Sequence, residues 1–292
     1  MVNNDRKKMI DYINGNRFAE LAHYIIERPP QFSYDIYKKN GIIFCTTDYL
    51  EYFFEQIKFS KRKYILITHA SDFEIDSIKF NKKPPCIVKW FAENAKYDHP
   101  DLIPIPLGIE NTSNDNGCGK GLNIEENLKL LIEKEEYFKN KNKIEDIVFC
   151  SFRVDYHFAN GIWINPLRKN IIRDFNESGV QYYQPTEMLN YSDFCETLTN
   201  YKYVLAPPGN GLDTHRLWET LYMGSIPVVL KNRMFKYYNL PILQVDNWKE
   251  LTNKMLSGYL EKYKKNKFNY EQLTMTYWKN QIFKELNNYN IC

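Results

Sequence analysis

The chain has 292 residues, with 39 Lys and Arg against 36 Asp and Glu, for a formal charge of +3. That balance excludes binding to nucleic acid by bulk charge, and 43% apolar with 26% charged residues excludes a disordered chain. The length suits two medium domains or one large one, with ample material for a core. Aromatic content is high at 16%. It accompanies abundant Asn, Lys and Ile, residues that share AT-rich codons, so not every tyrosine is read as a stacking platform.

From Asp5 to about Glu27 apolar residues recur at helical spacing, broken by Gly15, until Pro29-Pro30 stops them; the pattern predicts one or two opening helices. Short β-branched and aromatic runs then alternate with helical stretches: Gly41 to Cys45, a helix from Tyr49 to Phe59, Tyr64 to Thr68, Cys86 to Trp90, and Ile103 to Leu107. This is the rhythm of a parallel sheet covered by helices. A glycine- and asparagine-rich patch, Asn111 to Gly121, and a charged helix from Ile124 to about Lys141 mark the hinge between two halves.

The second half restarts with a strand at Asp146 to Phe152, a helix ending near Phe175, a strand at Val180 to Tyr183 and a helix from Tyr191 to Asn200. A strand at Tyr203 to Ala206, a helix from Asp213 to Met223, strands at Ile226 to Leu230 and Ile242 to Val245, and two closing helices complete it. The expected organisation is an N-terminal domain over residues 1–120, a linker at 111–143, and a second domain over 144–292. The last helix is expected to pack back on the first domain. Two α/β halves imply a cleft between the carboxyl ends of two sheets.

The N-terminus shows no secretory h-region, and nowhere do eighteen apolar residues run together. The six cysteines, Cys45, Cys86, Cys118, Cys150, Cys195 and Cys292, form no C-x-x-C pair and supply no zinc site. They read as reduced thiols of a cytoplasmic protein. The sequons at Asn111, Asn176 and Asn190 then carry no meaning.

Chemistry concentrates between Tyr201 and Leu230. There a strand runs into Pro207-Pro208, a Gly-Asn-Gly turn, a helix start at Asp213 or Thr214, and Gly224, which closes the helix. Gly209 and Gly211 allow an anion to approach the backbone where helix N–H groups are free. His215 and Arg216 fall in the first turn, within reach of a phosphate, and Glu219 lies one turn after His215 on the same face. A carboxylate there suits neutral hydroxyls such as those of a ribose. The structural alternative makes Asp213 or Thr214 a simple cap, Gly224 a C′ glycine, and Leu217, Trp218 and Leu221 a core face.

The run G-N-G-L-D-T-H-R-x-W-E-x-L-x-x-G-x-I-P-V-V, within Gly209 to Val229, resembles the C-terminal signature of exostosin-like glycosyltransferases. It is also similar to the nucleotide-sugar site of other GT-B enzymes such as the fucosyltransferases. Phe149 to Arg153 resembles the family's strand-plus-arginine opening of the donor domain, and Asp101 to Glu110 the last strand of its acceptor domain. The resemblance implies a GT-B-like α/β fold, two Rossmann-like domains with parallel sheets facing a cleft. It also implies transfer of a sugar from a nucleotide-diphosphate sugar, a UDP-sugar being favoured, with inversion. Glu219 would then hold the ribose, and Arg216 the diphosphate. Asn210, Gly211, Asp213, Thr214 and His215 would line the phosphate and sugar side, with Arg153 as a second cation for the leaving group.

The implied partners are the nucleotide sugar and an oligosaccharide or glycan acceptor, with no cofactor. The chain has no D-x-D triplet, the usual metal clamp of the other large transferase fold, so no metal is expected. Inversion needs a base from the opposite domain. Asp72, just after the strand Tyr64 to Thr68, is the first candidate, His69 the second and Asp48 the third. Tyr156, His157 and Trp163 offer rings to a sugar, and Tyr182-Tyr183 to a nucleotide base, with core packing as the other role for each. The rival of another class is a glycan- or nucleotide-binding module on a degenerate GT-B fold. A Rossmann oxidoreductase is disfavoured, because Gly-Asn-Gly-Leu-Asp-Thr lacks the third glycine.

Overall fold

The computed structural model describes residues 11–28, 34–111, 141–158 and 161–290. The charged helix expected after Ile124, the glycine-rich patch beyond Asn111, and Cys118 and Cys292 lie outside these residues.

The first half is a five-stranded parallel sheet of β1 (Tyr24–Ile26), β2 (Gly41–Thr46), β3 (Tyr64–His69), β4 (Ile87–Ala92) and β5 (Leu102–Pro104), in that order. Strands laid down in chain order step the same way each time, so right-handed crossovers put their helices on one face. There α2 (Leu50–Ile57) and α3 (Ser77–Asn81) pack Phe53, Phe54, Ile57 and Phe80 against Ile43, Cys45, Leu66 and Trp90. The opposite face, Ile42, Phe44, Ile65, Ile67 and Phe91, is covered by Phe18 of α1 (Gly15–Glu20) and by the last helix.

The second half is another five-stranded parallel sheet. Its strands are β6 (Ile144–Phe149), β9 (Tyr182–Tyr183), β10 (Tyr201–Leu205), β11 (Ile226–Leu230) and β12 (Leu243–Val245), and their spatial order is β12-β11-β10-β6-β9. The chain builds outward from β6 to β9 and then crosses back to β10. This is the doubly wound order 2-1-3-4-5, with its topological switch between β6 and β10. Helices α4 (Ile171–Ser178) and α7 (Asn253–Lys265) cover one face through Phe175 and Leu256, while α5 (Tyr191–Leu198) and α6 (His215–Tyr222) cover the other through Phe194, Leu198, Leu217 and Leu221.

The closing helix α8 (Met275–Asn288) buries Met275, Trp278, Ile282 and Leu286 in a cluster that also holds Ile65, Ile67 and Phe91 of the first sheet and Trp218 and Tyr238 of the second half. One core therefore runs through both halves. Asp11 ties down the start of α8, its carbonyl accepting from Met275 N at 2.7 Å and its carboxylate from Thr276 N at 2.8 Å.

Two elements depart from the sequence reading. Tyr24–Ile26 is an edge strand rather than the end of an opening helix, because it pairs in parallel with β2. His23 Nδ1 accepts from Ile42 N at 2.9 Å beside that pairing. Between the second half's first strand and helix, Asp155–Phe158 and Gly161–Ile164 form an antiparallel hairpin, β7 and β8, that local patterning did not announce.

Candidate active site between the two sheets

The carboxyl ends of β3 and β4 carry a buried polar cluster. His69, the last residue of β3, is 1% exposed. Its Nε2 donates to Pro106 O at 3.2 Å, and its Nδ1 receives Ala70 N at 2.7 Å. Burial holds the imidazole neutral, its pKa lowered to about 4. Glu93, just past β4, lies with Oε2 3.1 Å from that Nδ1 and accepts from Ala70 N at 2.9 Å. Burial first, and then the nearby Asp213 and Asp72 charges, push the Glu93 carboxyl well above its ordinary range. Ala70 and Asn94 both adopt left-handed backbone, at φ 61° and 52°, turning the chain sharply at two neighbouring strand ends.

The second half closes onto this cluster. Asn94 Nδ2 donates to Ser71 O at 3.1 Å and Glu93 Oε1 at 3.2 Å, while its Oδ1 receives Asp213 N at 2.9 Å. Asp213 is 4% exposed and accepts from Leu107 N and Trp218 Nε1 at 2.9 Å and from Thr214 N at 2.8 Å. Burial outweighs these bonds and lifts its pKa to about 6. His215 Nδ1 donates to Gly108 O at 2.8 Å, and its Nε2 lies 3.6 Å from Glu110 Oε2. A Cβ on Gly211 would stand 2.9 Å from Asn94 Nδ2 and 3.4 Å from Asp72 Cα, so the backbones of the two halves meet here. Asn210 Nδ2 donates to Asp72 Oδ2 at 3.2 Å, and both residues are exposed.

At the switch between β6 and β10, Arg168 grips the chain leaving both strands. Its Nε donates to Pro208 O at 2.8 Å, Nη2 to Pro207 O at 3.3 Å and Nη1 to Arg153 O at 3.1 Å. Asn165, 1% exposed, adds a bond from Nδ2 to Gly209 O at 3.1 Å. The Gly-Asn-Gly loop is thus held by its carbonyl oxygens. The Arg216 guanidinium carbon lies over the Phe194 ring, 4.0 Å from its centre, and Nη1 donates to Ser151 O after β6. Arg216 Nε is 3.5 Å from Glu219 Oε2, and burial first, then the nearby Glu219 charge, raises the Tyr191 hydroxyl well above its ordinary range. Arg153 is exposed just after β6.

The residues singled out from sequence divide into two groups. Asp72, Arg153, Asn210, Gly211, Thr214, Arg216 and Glu219 gather where the carboxyl ends of the sheets meet. Asp213, His215 and His69 lie there too, but their polar atoms join the two halves or the loop after β3. Glu93, Asn94, Asn165 and Arg168 escaped the sequence reading. A Glu-Asn pair directly after the apolar run Cys86 to Ala92 was the available signal for the first two, since β3 was read by the same logic. Nothing local marks Arg168 or Asn165. Among the described residues no three His, Cys, Asp or Glu side chains group so as to hold a metal ion.

Fold and site together define a two-part α/β protein whose parallel sheets meet at their carboxyl ends, one of them doubly wound with a switch-point crevice. Among the described residues no helix is long and apolar enough to cross a membrane. No protein-family model matches the chain, and no curated protein matches it.

Proposed function

We propose that this protein is a GT-B-type glycosyltransferase that moves a sugar from a nucleotide-diphosphate sugar, preferably a UDP-sugar, to a glycan acceptor, with inversion and without a metal ion. The observation that carries the reading is the meeting of Asp72 with the Gly209–Gly211 loop at the β6/β10 crossing, beside Arg153, Arg168 and Arg216. In open α/β sheets such a crossing is where ligands bind.

In this mechanism the diphosphate lies against the glycine loop and the first turn of α6, whose dipole favours negative charge. Arg153 and Arg216 offset the charge that grows on the departing phosphate oxygen, with Arg168 behind the loop adding to the field. Glu219 keeps acceptor lone pairs beside its ion pair with Arg216 and takes the ribose hydroxyls. Asp72 removes the proton of the acceptor hydroxyl as that oxygen attacks the anomeric carbon. The bond from that carbon to the diphosphate breaks on the opposite side, and its electron pair leaves with the phosphate. His69 and Glu93 brace the loop that presents Asp72. Cys45, Cys86, Cys150 and Cys195 are buried free thiols, which suits a cytoplasmic site of action.

Calorimetric and thermal-shift titration with UDP, GDP, CMP and dTDP, each with and without EDTA, tests this reading. Saturable binding of one nucleoside diphosphate that survives EDTA and weakens in Arg216→Ala is expected. Absence of nucleotide binding overturns the transferase and favours a glycan-binding module.

A further inference from the structure

The loop after β3 presents one large apolar ring to water directly beside Asp72. Phe73 is 55% exposed, and Ile78, at the start of α3, is 67% exposed. Single exposed apolar residues are ordinary on protein surfaces, and what distinguishes Phe73 is its place next to Asp72. This loop is tied at several points. Ser71 O receives Asn94 Nδ2 at 3.1 Å, Phe73 N donates to Ser71 Oγ at 3.2 Å, and Ile75 N donates to Asn94 O at 3.0 Å. Asp72 is itself held by Asn210 across the cleft. The Phe73 ring is therefore carried on fixed backbone at the rim of the meeting point, with the Lys79 ammonium 5.5 Å from its centre. Lys79 is anchored in turn by a bond from Nζ to Glu74 O at 2.8 Å.

We propose that Phe73 is the stacking platform for a pyranose ring of the acceptor glycan, an inference that rests on the transferase reading. A pyranose has one face lined with C–H groups and hydroxyls around its edge. The C–H groups carry partial positive charge and suit the negative face of an aromatic ring. The Lys79 ammonium beside the ring and the neighbouring Asp72 carboxylate offer a donor and an acceptor for edge hydroxyls. The backbone at Asp72 stands against Gly211 of the second half, so the next residue, Phe73, lies at the edge of the same meeting point. A peptide or lipid occupant would call for a continuous groove or a wider apolar face than Phe73 and Ile78 supply.

The test is saturation-transfer NMR on the full chain with cellotriose, maltotriose, chitotriose and xylotriose, each with UDP or GDP present. The parent protein, Phe73→Ala and Phe73→Trp are compared. At least one sugar should bind through its ring C–H protons, weaken about fivefold to tenfold in Phe73→Ala, and recover in Phe73→Trp. Nucleotide affinity should be the same in all three proteins. Equal sugar binding by Phe73→Ala overturns the proposal, as does failure of every sugar to bind a protein that binds nucleotide. Sugar binding that depends on Phe73 in a protein that binds no nucleotide upholds the platform and removes the transferase instead.

Discussion

At the scale of single residues, two carboxyls stand at the meeting of the sheets in opposite environments. Asp72 is exposed and touches the glycine loop, while Glu93 is 4% exposed and its carboxyl is pushed well above the ordinary range by burial. On the transferase reading a general base must reach the acceptor hydroxyl, which the exposed Asp72 can do and the buried Glu93 cannot. Asp72→Asn should lower the rate of transfer by about a hundredfold or more while nucleotide affinity stays unchanged. Glu93→Gln keeps a neutral side chain able both to donate and to accept, and it should retain most of the activity. Initial rates and nucleotide titrations on both variants decide between them. Loss in Glu93→Gln with activity kept in Asp72→Asn would transfer the role of base to Glu93.

At the scale of elements, two glycines with positive φ do different work. Gly224, at φ +66°, closes α6, and a Cβ there would meet nothing within 4 Å. Gly108, at φ +74°, follows β5, and a Cβ there would stand 2.1 Å from Ile13 O. That oxygen already receives Ile109 N at 2.9 Å, so it is not free to withdraw. Gly224→Ala should cost only the left-handed strain, about 1 kcal/mol. Gly108→Ala adds a backbone collision and should cost about 3 kcal/mol or more. Urea unfolding midpoints measure both, and equal losses would show that Ile13 yields easily. Gly108 O also receives His215, so the second variant should loosen the join between the halves as well.

At the scale of the molecule, the buried cluster between the halves ties stability to pH. His69 titrates near 4 when folded against 6.5 ordinarily, so between those values unfolding takes up a proton. Asp213 is raised from 3.8 to about 6, and Glu93 is raised well above 4.5, so unfolding releases a proton from each. Between about pH 4.5 and 6 the uptake at His69 offsets the release at Asp213, so the raised Glu93 carboxyl leaves a net release and stability falls as pH rises. The protein should therefore unfold at higher denaturant concentration at pH 5 than at pH 7. Glu93→Gln should flatten the lower part of that dependence, because His69 and Asp213 then oppose each other. A parent protein more stable at pH 7 than at pH 5 would contradict this balance.

Much of the framework was legible in the sequence, because strand and helix patterns report which face of an element is buried. Tyr64–His69, Ile226–Leu230 and α6 with its closing Gly224 lie within a residue or two of where local patterning put them. So do the glycine loop and the arginine in the first turn of α6, which are contiguous. The tertiary structure decided which ends meet. Asp72 and Asn210 touch across 138 residues of sequence, and Asn94 and Asp213 across 119. Strand order, and with it the switch point beside Arg168, follows from which crossover passes which edge, and no local period encodes that. Tyr24–Ile26 became a strand because β2 offered a free edge, and the Glu93 carboxyl is pushed above its ordinary range because the fold buries it and then brings Asp213 and Asp72 beside it. Residue type sets what a side chain can do, but burial and the charges brought beside it select what it does.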